Sequence, residues 1–250
     1  MRRVFFIAAA ALLLTAAIVD AQGLRGIQRR RLDTTHSIRS AGLERTYHVH
    51  TPRGYDSPRD NLPVVLAFHG GTAKGTGMPV LTGLNELADE ARFIAVYPEG
   101  VDEHWNDGRS SVPNTVDDVA FVSAMLEDLA RNYRIDANRI YAAGISNGGF
   151  FSERLACEMA ESRFWAAANK CAPRAEHISL PDRAPRDGTS IIRETHRCGN
   201  VEVTGYTVQN GGHTWPGGTQ YAPERLIGKT TRDLDGSRVI WEFFKQHTLH

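Results

Sequence analysis

Net charge and cysteine are both scarce in this sequence of 250 residues. The 29 basic side chains are balanced by 29 acidic ones, so the sequence predicts no nucleic-acid or polyanion partner. No internal repeat occurs, and the chain has only one long apolar run. Hydrophobic residues make up 41% of the chain, which is enough for one domain with a real core. Three cysteines cannot all pair with one another.

The long apolar run lies at the N-terminus. Two arginines precede Val4–Val19, and small residues up to Ala21 are typical of a signal-peptide cleavage site. An uncleaved membrane anchor is the alternative, but the run is short for a span and polar sequence follows at once. We expect a secreted protein, extracellular or periplasmic, with no membrane contact after cleavage. The predicted organisation is a signal peptide at 1–21, an N-terminal tether at 22–44 and a single domain at 45–250.

Strand-like and helix-like segments alternate along the rest of the chain. Unbroken apolar runs predict buried strands at Pro63–His69 and Phe93–Tyr97, and a shorter apolar run predicts a strand at Ile140–Ala143. Apolar stripes at helical spacing predict helices over Leu81–Ala91 and Val119–Tyr133. This alternation predicts an α/β fold with a mostly parallel sheet and helices on both faces.

A candidate nucleophile lies where the third predicted strand turns into a helix. Residues Gly144–Gly148 read Gly-Ile-Ser-Asn-Gly, the Gly-x-Ser-x-Gly pattern in its strand–turn–helix setting. A side chain two positions before or after the serine would collide with neighbouring backbone in so sharp a turn. The pattern therefore predicts Ser146 as an exposed nucleophile at a helix N-terminus, where developing negative charge is favoured. A tight turn without chemistry is the alternative.

A glycine-rich loop follows the first buried strand. The backbone amides at Gly70 and Gly71, with that of Asn147 after the serine, are candidate donors to an oxyanion. A flexible surface loop is the alternative. A phosphate-binding loop is disfavoured because Gly71–Gly77 lacks the Gly-Lys-Ser/Thr ending.

The candidate general base is His213. It follows an alternating strand at Val201–Val208 and lies in Gly211–Gly218, a run of Gly-Gly-His-Thr-Trp-Pro-Gly-Gly. A histidine on a loop after a late strand has the right order for a base that serves an upstream serine. Among ten histidines no other has this context, and His69 is better explained as structural or as a residue that shapes the oxyanion loop.

With these pieces placed, the chain resembles the secreted esterase family of polyhydroxybutyrate depolymerases and feruloyl or acetyl-xylan esterases. The resemblance implies an α/β-hydrolase fold, Ser146 as nucleophile and His213 as base. It also implies ester substrates of hydroxyacids or aromatic acids, polymers among them, and no metal or organic cofactor. The stretches that carry it are Leu66–Gly71, Tyr97–Gly100, His104–Arg109, Val116–Phe121, Arg139–Phe151, Gly211–Gly218 and Ile240–Phe244.

The chain departs from that family after the nucleophile helix. Only 67 positions separate Ser146 from His213, too few for the strands and the acid-bearing segment that family members have there. We interpret this as a deletion with its junction near Phe164–Trp165, which removes two strands and the triad aspartate. Asp182 and Asp187 are the possible substitute acids, although each is more typical of a turn. Asp117 and Asp118 precede the serine and are expected to cap a helix.

The cysteines agree with a deletion. In the family the nucleophile-helix cysteine would pair with a partner in the missing stretch, which leaves Cys157 free. Cys171 and Cys198 flank a hairpin-like segment, and we expect them to form a disulfide in an oxidising compartment.

Three functions remain open at this point. The leading one is a secreted serine ester hydrolase whose activity is impaired by loss of the triad acid. The second is an inactive relative that binds a polymer, or a deletion variant that folds poorly. The third is another acyl transfer, by a peptidase or thioesterase, at the same serine.

Overall fold

The computed structural model describes residues 34–55, 61–110, 115–158, 176–198 and 201–248. The predicted signal peptide, the junction at Phe164–Trp165 and Cys171 lie outside these residues. Within the described chain, no helix is long and apolar enough to cross a membrane.

Five strands form the main sheet in the described residues, and the sheet confirms the predicted α/β class. The three strands with the most apolar sequences are parallel to one another, and the two strands at one side run antiparallel. In spatial order the strands are β1 (Thr34–Ser40), β2 (Leu43–His50), β4 (Ile94–Pro98), β3 (Leu62–Phe68) and β5 (Ile135–Gly144). β3 and β4 are buried along their whole length, as their unbroken apolar runs predicted.

The sheet extends into sequence that was expected to be tether. Residues 34–40 form β1, which pairs with β2 from Thr34↔Val49 to Ser40↔Leu43. A two-residue turn joins the strands, with φ of 47° at Ala41 and 81° at Gly42, the backbone that tight hairpins need. The segment predicted as tether at 22–44 therefore includes a strand. Its polar sequence gives a weak signal, because Ile38 is its one hydrophobic residue packed against the core and the other core contact is made by His36, which stacks on Tyr47.

Helices cover both faces of the sheet. On one face, α3 (Asp118–Asn132) and α4 (Asn147–Glu158) bury aromatic and aliphatic side chains against β3. On the other, α1 (Met78–Thr82), α2 (Leu84–Ala91) and α6 (Gly236–Phe244) enclose a second cluster around Trp241. A short helix, α5 (Glu224–Ile227), precedes α6 in the chain.

Helix α3 begins with the cap that its sequence predicted. The side chain of Asp117 accepts a hydrogen bond from the amide of Ala120 at 2.9 Å. Asp118, inside the first turn, is instead fully buried and receives the guanidinium of Arg45 at 2.7 Å.

A second, antiparallel sheet contains β6 (Glu176–Ser179), β7 (Ser190–Cys198) and β8 (Val201–Gln209) in that order. The predicted strand at Val201–Val208 is thus β8, and it pairs with β7 rather than with the main sheet. β5 is the outermost of the described strands at its side of the main sheet. Whether two strands are missing stays a prediction, because residues 159–175 lie outside the described chain.

Candidate active site

Ser146 sits on a strained turn between β5 and α4. Its φ is 54°, a left-handed value that non-glycine residues rarely adopt, and its side chain is exposed. A Cβ at Gly144 would lie 2.3 Å from the carbonyl oxygen of Gly148, and one at Gly148 would lie 2.4 Å from the carbonyl oxygens of Phe68 and His69. The two glycines of the pentapeptide are therefore required by backbone contacts, which is the geometry of a nucleophile elbow.

The glycine-rich loop lies directly against this turn. A Cβ placed on Gly70 would be 3.5 Å from Cβ of Ser146, and one on Gly71 would be 3.8 Å from Cβ of Asn147. No group in the described chain accepts a hydrogen bond from the amides of Gly71 and Asn147. The structure thus brings together Gly70, Gly71, Ser146 and Asn147, with two amides able to bind an oxyanion.

His69 fixes the conformation of the loop from beneath. Its ring is fully buried, Nδ1 donates to the carbonyl oxygen of Gly70 at 2.8 Å, and Nε2 accepts from the amide of Gly100 at 2.9 Å. Since Nε2 must accept, the ring is the neutral Nδ1–H tautomer. Burial lowers the pKa of His69, which keeps it neutral. His69 therefore shapes the loop and has no free nitrogen for catalysis.

A polar network that the sequence analysis missed holds Asn147. The Asn147 side chain accepts from the amide of Trp105 at 2.8 Å and donates to the Trp105 carbonyl at 3.0 Å and to Asp107 at 2.7 Å. The Trp105 indole donates in turn to the carbonyl of His69 at 3.0 Å. The amide after the nucleophile is thereby fixed to the loop that follows β4. Burial raises the pKa of Asp107, but hydrogen bonds from Arg109 and Asn147 outweigh it and the pKa is lowered overall.

His213 lies on a well-anchored loop after β8. Its amide donates to the carbonyl of Ile227 at 2.6 Å, and its exposed ring has Nδ1 2.9 Å from the hydroxyl of Tyr221. Trp215 donates to Ser237 at 3.0 Å, and Ser237 donates to the carbonyl of Thr82. The loop is therefore attached to the end of α1, the helix that follows the glycine-rich loop. No hydrogen bond joins Ser146 to His213 in the described structure.

The two possible substitute acids are engaged in turns. Asp187 accepts from the amide and hydroxyl of Thr189 at 2.7 and 2.8 Å and from the amide of Arg232 at 2.7 Å. Burial raises the pKa of Asp187, but these hydrogen bonds lower it overall. Asp182 accepts from the amide of Ala184 at 3.1 Å. Neither carboxylate hydrogen-bonds the ring of His213, and the hydroxyl of Tyr221 occupies Nδ1 instead.

The predicted disulfide is not tested, because Cys171 lies outside the described residues. Cys157 falls on α4 and Cys198 ends β7. In the part of the chain that the structure describes, no three His, Cys, Asp or Glu side chains are grouped so as to hold a metal ion.

Fold and site define an α/β protein with a serine nucleophile elbow, the arrangement of an α/β-hydrolase. No protein-family model matches the sequence. Curated relatives are nevertheless found. The putative esterase NocK of Nocardia uniformis subsp. tsuyamanensis is 27% identical and aligns over 84% of this chain and 82% of its own length.

Two other relatives align with this chain over a smaller share of their own length. Probable feruloyl esterase C of Aspergillus terreus is 30% identical over 62% of this chain and 55% of that protein. Poly(3-hydroxyalkanoate) depolymerase C of Paucimonas lemoignei is 22% identical over 69% and 43%. Among solved structures, acetyl xylan esterase from Aspergillus awamori superposes with a TM-score of 0.43 at 19% identity, over 51% of this chain and 48% of that one.

The relatives confirm the resemblance read from the sequence: homologues of this chain are esterases, with a feruloyl esterase and a polyhydroxyalkanoate depolymerase among them. They support a carboxylic ester hydrolase of the α/β-hydrolase type.

Proposed function

We propose that the chain is an exported serine hydrolase that cleaves carboxylic esters through an acyl-enzyme on Ser146. The single observation that carries this proposal is the strained, exposed Ser146 with the Gly70–Gly71 loop against it. The esterase relatives favour esters over the amides of a peptidase. The N-terminal sequence pattern is the support for export.

The proposed reaction has two halves. Ser146 Oγ attacks the ester carbonyl while Nε2 of His213 takes the serine proton. The amides of Gly71 and Asn147 bind the oxyanion, and the alcohol leaves with the proton from His213. Water then attacks the acyl-enzyme and gives a proton to His213. As the bond between Oγ and the acyl carbon breaks and the acid leaves, His213 returns that proton to Oγ, which restores Ser146. Because Ser146 and His213 do not hydrogen-bond in this structure, their loops must approach when substrate binds.

For the substrate we propose esters of hydroxyacids or of aromatic acids such as ferulate. The support is the identity of two relatives, a probable feruloyl esterase and a poly(3-hydroxyalkanoate) depolymerase. An exposed site suits a chain-like ester, because a polymer can be reached only at an open surface.

We further propose that activity is impaired. An acid normally fixes the base histidine and stabilises its imidazolium, and loss of that acid costs about 10⁴-fold in kcat in a serine protease. No described carboxylate contacts His213. This observation also favours the second candidate, an inactive polymer-binding relative, which keeps the elbow but turns over no ester.

The first prediction tests Ser146. A fluorophosphonate probe is expected to label wild type and the Tyr206→Phe control but not Ser146→Ala, because only an activated serine reacts. Hydrolysis of short p-nitrophenyl esters should fall to background in Ser146→Ala, by roughly 10⁶-fold for an intact triad and by less here. Turnover that is unchanged in Ser146→Ala would exclude this nucleophile. An unlabelled wild type that still binds polyester film would favour the binding protein.

A further inference from the structure

Tyr221 is the one described side chain that hydrogen-bonds the ring of His213. We infer that Tyr221 is a positioning residue that holds His213 in the tautomer needed by a general base, at the ring nitrogen where a triad acid would otherwise bind. This inference rests on the proposed function, since it assigns a partner to the proposed base. The group assigned this role is a hydroxyl, where a triad has a carboxylate.

The single proton of the Tyr221 phenol determines the tautomer of His213. The Tyr221 hydroxyl lies 2.7 Å from the carbonyl oxygen of His213 and 2.9 Å from Nδ1 of the same residue. A carbonyl oxygen can only accept, so the phenol proton points to it. Toward Nδ1 the phenol oxygen can then only accept, and Nδ1 must carry the imidazole proton. In the neutral ring this leaves the lone pair on Nε2.

That tautomer is the one that the chemistry requires. A base must present an unprotonated Nε2 to the serine hydroxyl, and the wrong tautomer is the main defect when the triad acid loses its charge. After proton transfer Nδ1–H still donates to the phenol oxygen, so the contact persists through the reaction. A neutral hydroxyl stabilises the imidazolium less than a carboxylate does. Tyr221 therefore substitutes for the orienting role of the acid and only weakly for its electrostatic role.

Backbone and side-chain hydrogen bonds of the surrounding loop fix the segments that carry His213 and Tyr221. The amide of His213 is bonded to Ile227, and the neighbouring Gln220 side chain bonds the carbonyl of Gly228 at 2.9 Å and the amide of Thr230 at 3.0 Å. Tyr221 is thus carried by a segment that is tied to the strand-like stretch facing His213. Its ring is about half exposed, so removing the hydroxyl leaves the packing intact.

The direct test is the ring ¹⁵N spectrum of the full chain, with His213 assigned by comparison with His213→Gln. Wild type and Tyr206→Phe should both show His213 protonated at Nδ1. Tyr206 is the control because it is exposed and its hydroxyl makes no hydrogen bond in the described structure. Tyr221→Phe should move His213 toward the mixture typical of a free histidine. A wild-type ring protonated at Nε2, or no change in Tyr221→Phe, would overturn the inference.

Kinetics give the second readout. Tyr221→Phe should lower kcat for p-nitrophenyl acetate by roughly 10- to 100-fold at unchanged KM, because the phenol contacts His213 and is inferred to act through that ring. Tyr206→Phe should leave both constants unchanged. If wild type hydrolyses the ester through Ser146 but Tyr221→Phe keeps its kcat, the positioning role is wrong and the proposed function stands. If Ser146 is unreactive, the proposed function fails, while the ¹⁵N spectra still decide the tautomer.

Discussion

At the scale of single residues, the elbow is set by backbone contacts that leave no room for a side chain. A methyl group at Gly148 would meet the carbonyl oxygens of Phe68 and His69 at 2.4 Å. Those atoms belong to the end of β3 and cannot move without displacing the oxyanion loop. The exposed serine and the amides beside it therefore require glycine at position 148, as they do at position 144.

Gly148→Ala is expected to destabilise the fold by about 1–3 kcal/mol, the usual cost of overpacking, and to abolish labelling by a fluorophosphonate. Gly149→Ala is the matched control. Its new methyl group would meet no atom closer than 3.4 Å, so it should fold normally and keep its labelling. Urea unfolding measures the stabilities. Equal stability of the two variants would show that the elbow is looser than the structure indicates.

Sequence alone could select Ser146, Gly70, Gly71, Asn147 and His213 as candidates because each has a motif or a glycine-rich context. It could not identify Trp105 or Tyr221, whose roles depend on which loops meet in space. Trp105 lies in the segment His104–Arg109 that carried the resemblance, so that segment was the available signal. Tyr221 had no such signal, because a spacing of eight residues between a histidine and a tyrosine does not indicate that the two side chains are in contact.

At the scale of elements, apolar runs predicted β3, β4 and the last residues of β5. β3 and β4 are buried along their whole length, which excludes most polar residues, whereas β5 is only partly buried. β1 was missed for the opposite reason: its exposed face is polar and only its pairing with β2 makes it a strand. The loop after β3 is held by hydrogen bonds to the side chain of Glu99, a contact that neither apolar runs nor strand pairing would indicate. Its oxygens accept from the amides of Gly75 and Thr76 at 2.9 and 3.1 Å and lie 3.1 Å from Nε2 of His48.

Glu99 gives a prediction for acid stability. Burial raises the pKa of Glu99, but the hydrogen bonds from His48, Gly75 and Thr76 bring it below its ordinary value of 4.5. A carboxylate with a lowered pKa in the folded state stabilises fully above the unfolded pKa, and this contribution is lost as pH falls through the lower folded pKa. Glu99→Gln should therefore be less stable than wild type at pH 7, by about 1–3 kcal/mol, with the difference shrinking below pH 4.5.

Urea unfolding at a series of pH values from 7 to 3 checks this. Glu44→Gln is the control, because the side chain of Glu44 is exposed on β2 and makes no hydrogen bond in the described structure. Its stability should follow wild type at every pH. A Glu99→Gln difference that stays constant down to pH 3 would mean that the carboxylate charge does not hold the loop.

At the scale of the whole molecule, β5 lies at one side of the main sheet as far as the chain is described, and a separate antiparallel sheet precedes the loop of His213. β8 was the one predicted strand that could have moved beside β5 to cover its edge, and it pairs with β7 instead. In the described chain β5 therefore pairs on one side only, with β3. An open edge beside an apolar strand invites association with another chain.

Hydrogen exchange tests this arrangement. In a strand paired on one side, alternate amides point away from the partner, so about half of the amides over Ile140–Gly144 should exchange quickly while those of β3 and β4 are protected. Sedimentation velocity should show association that increases with protein concentration, and dilution should restore the fast amides. Uniform protection of β5 in a monomer at every concentration would show that the edge is covered within the chain. The open edge inferred for β5 would then be wrong.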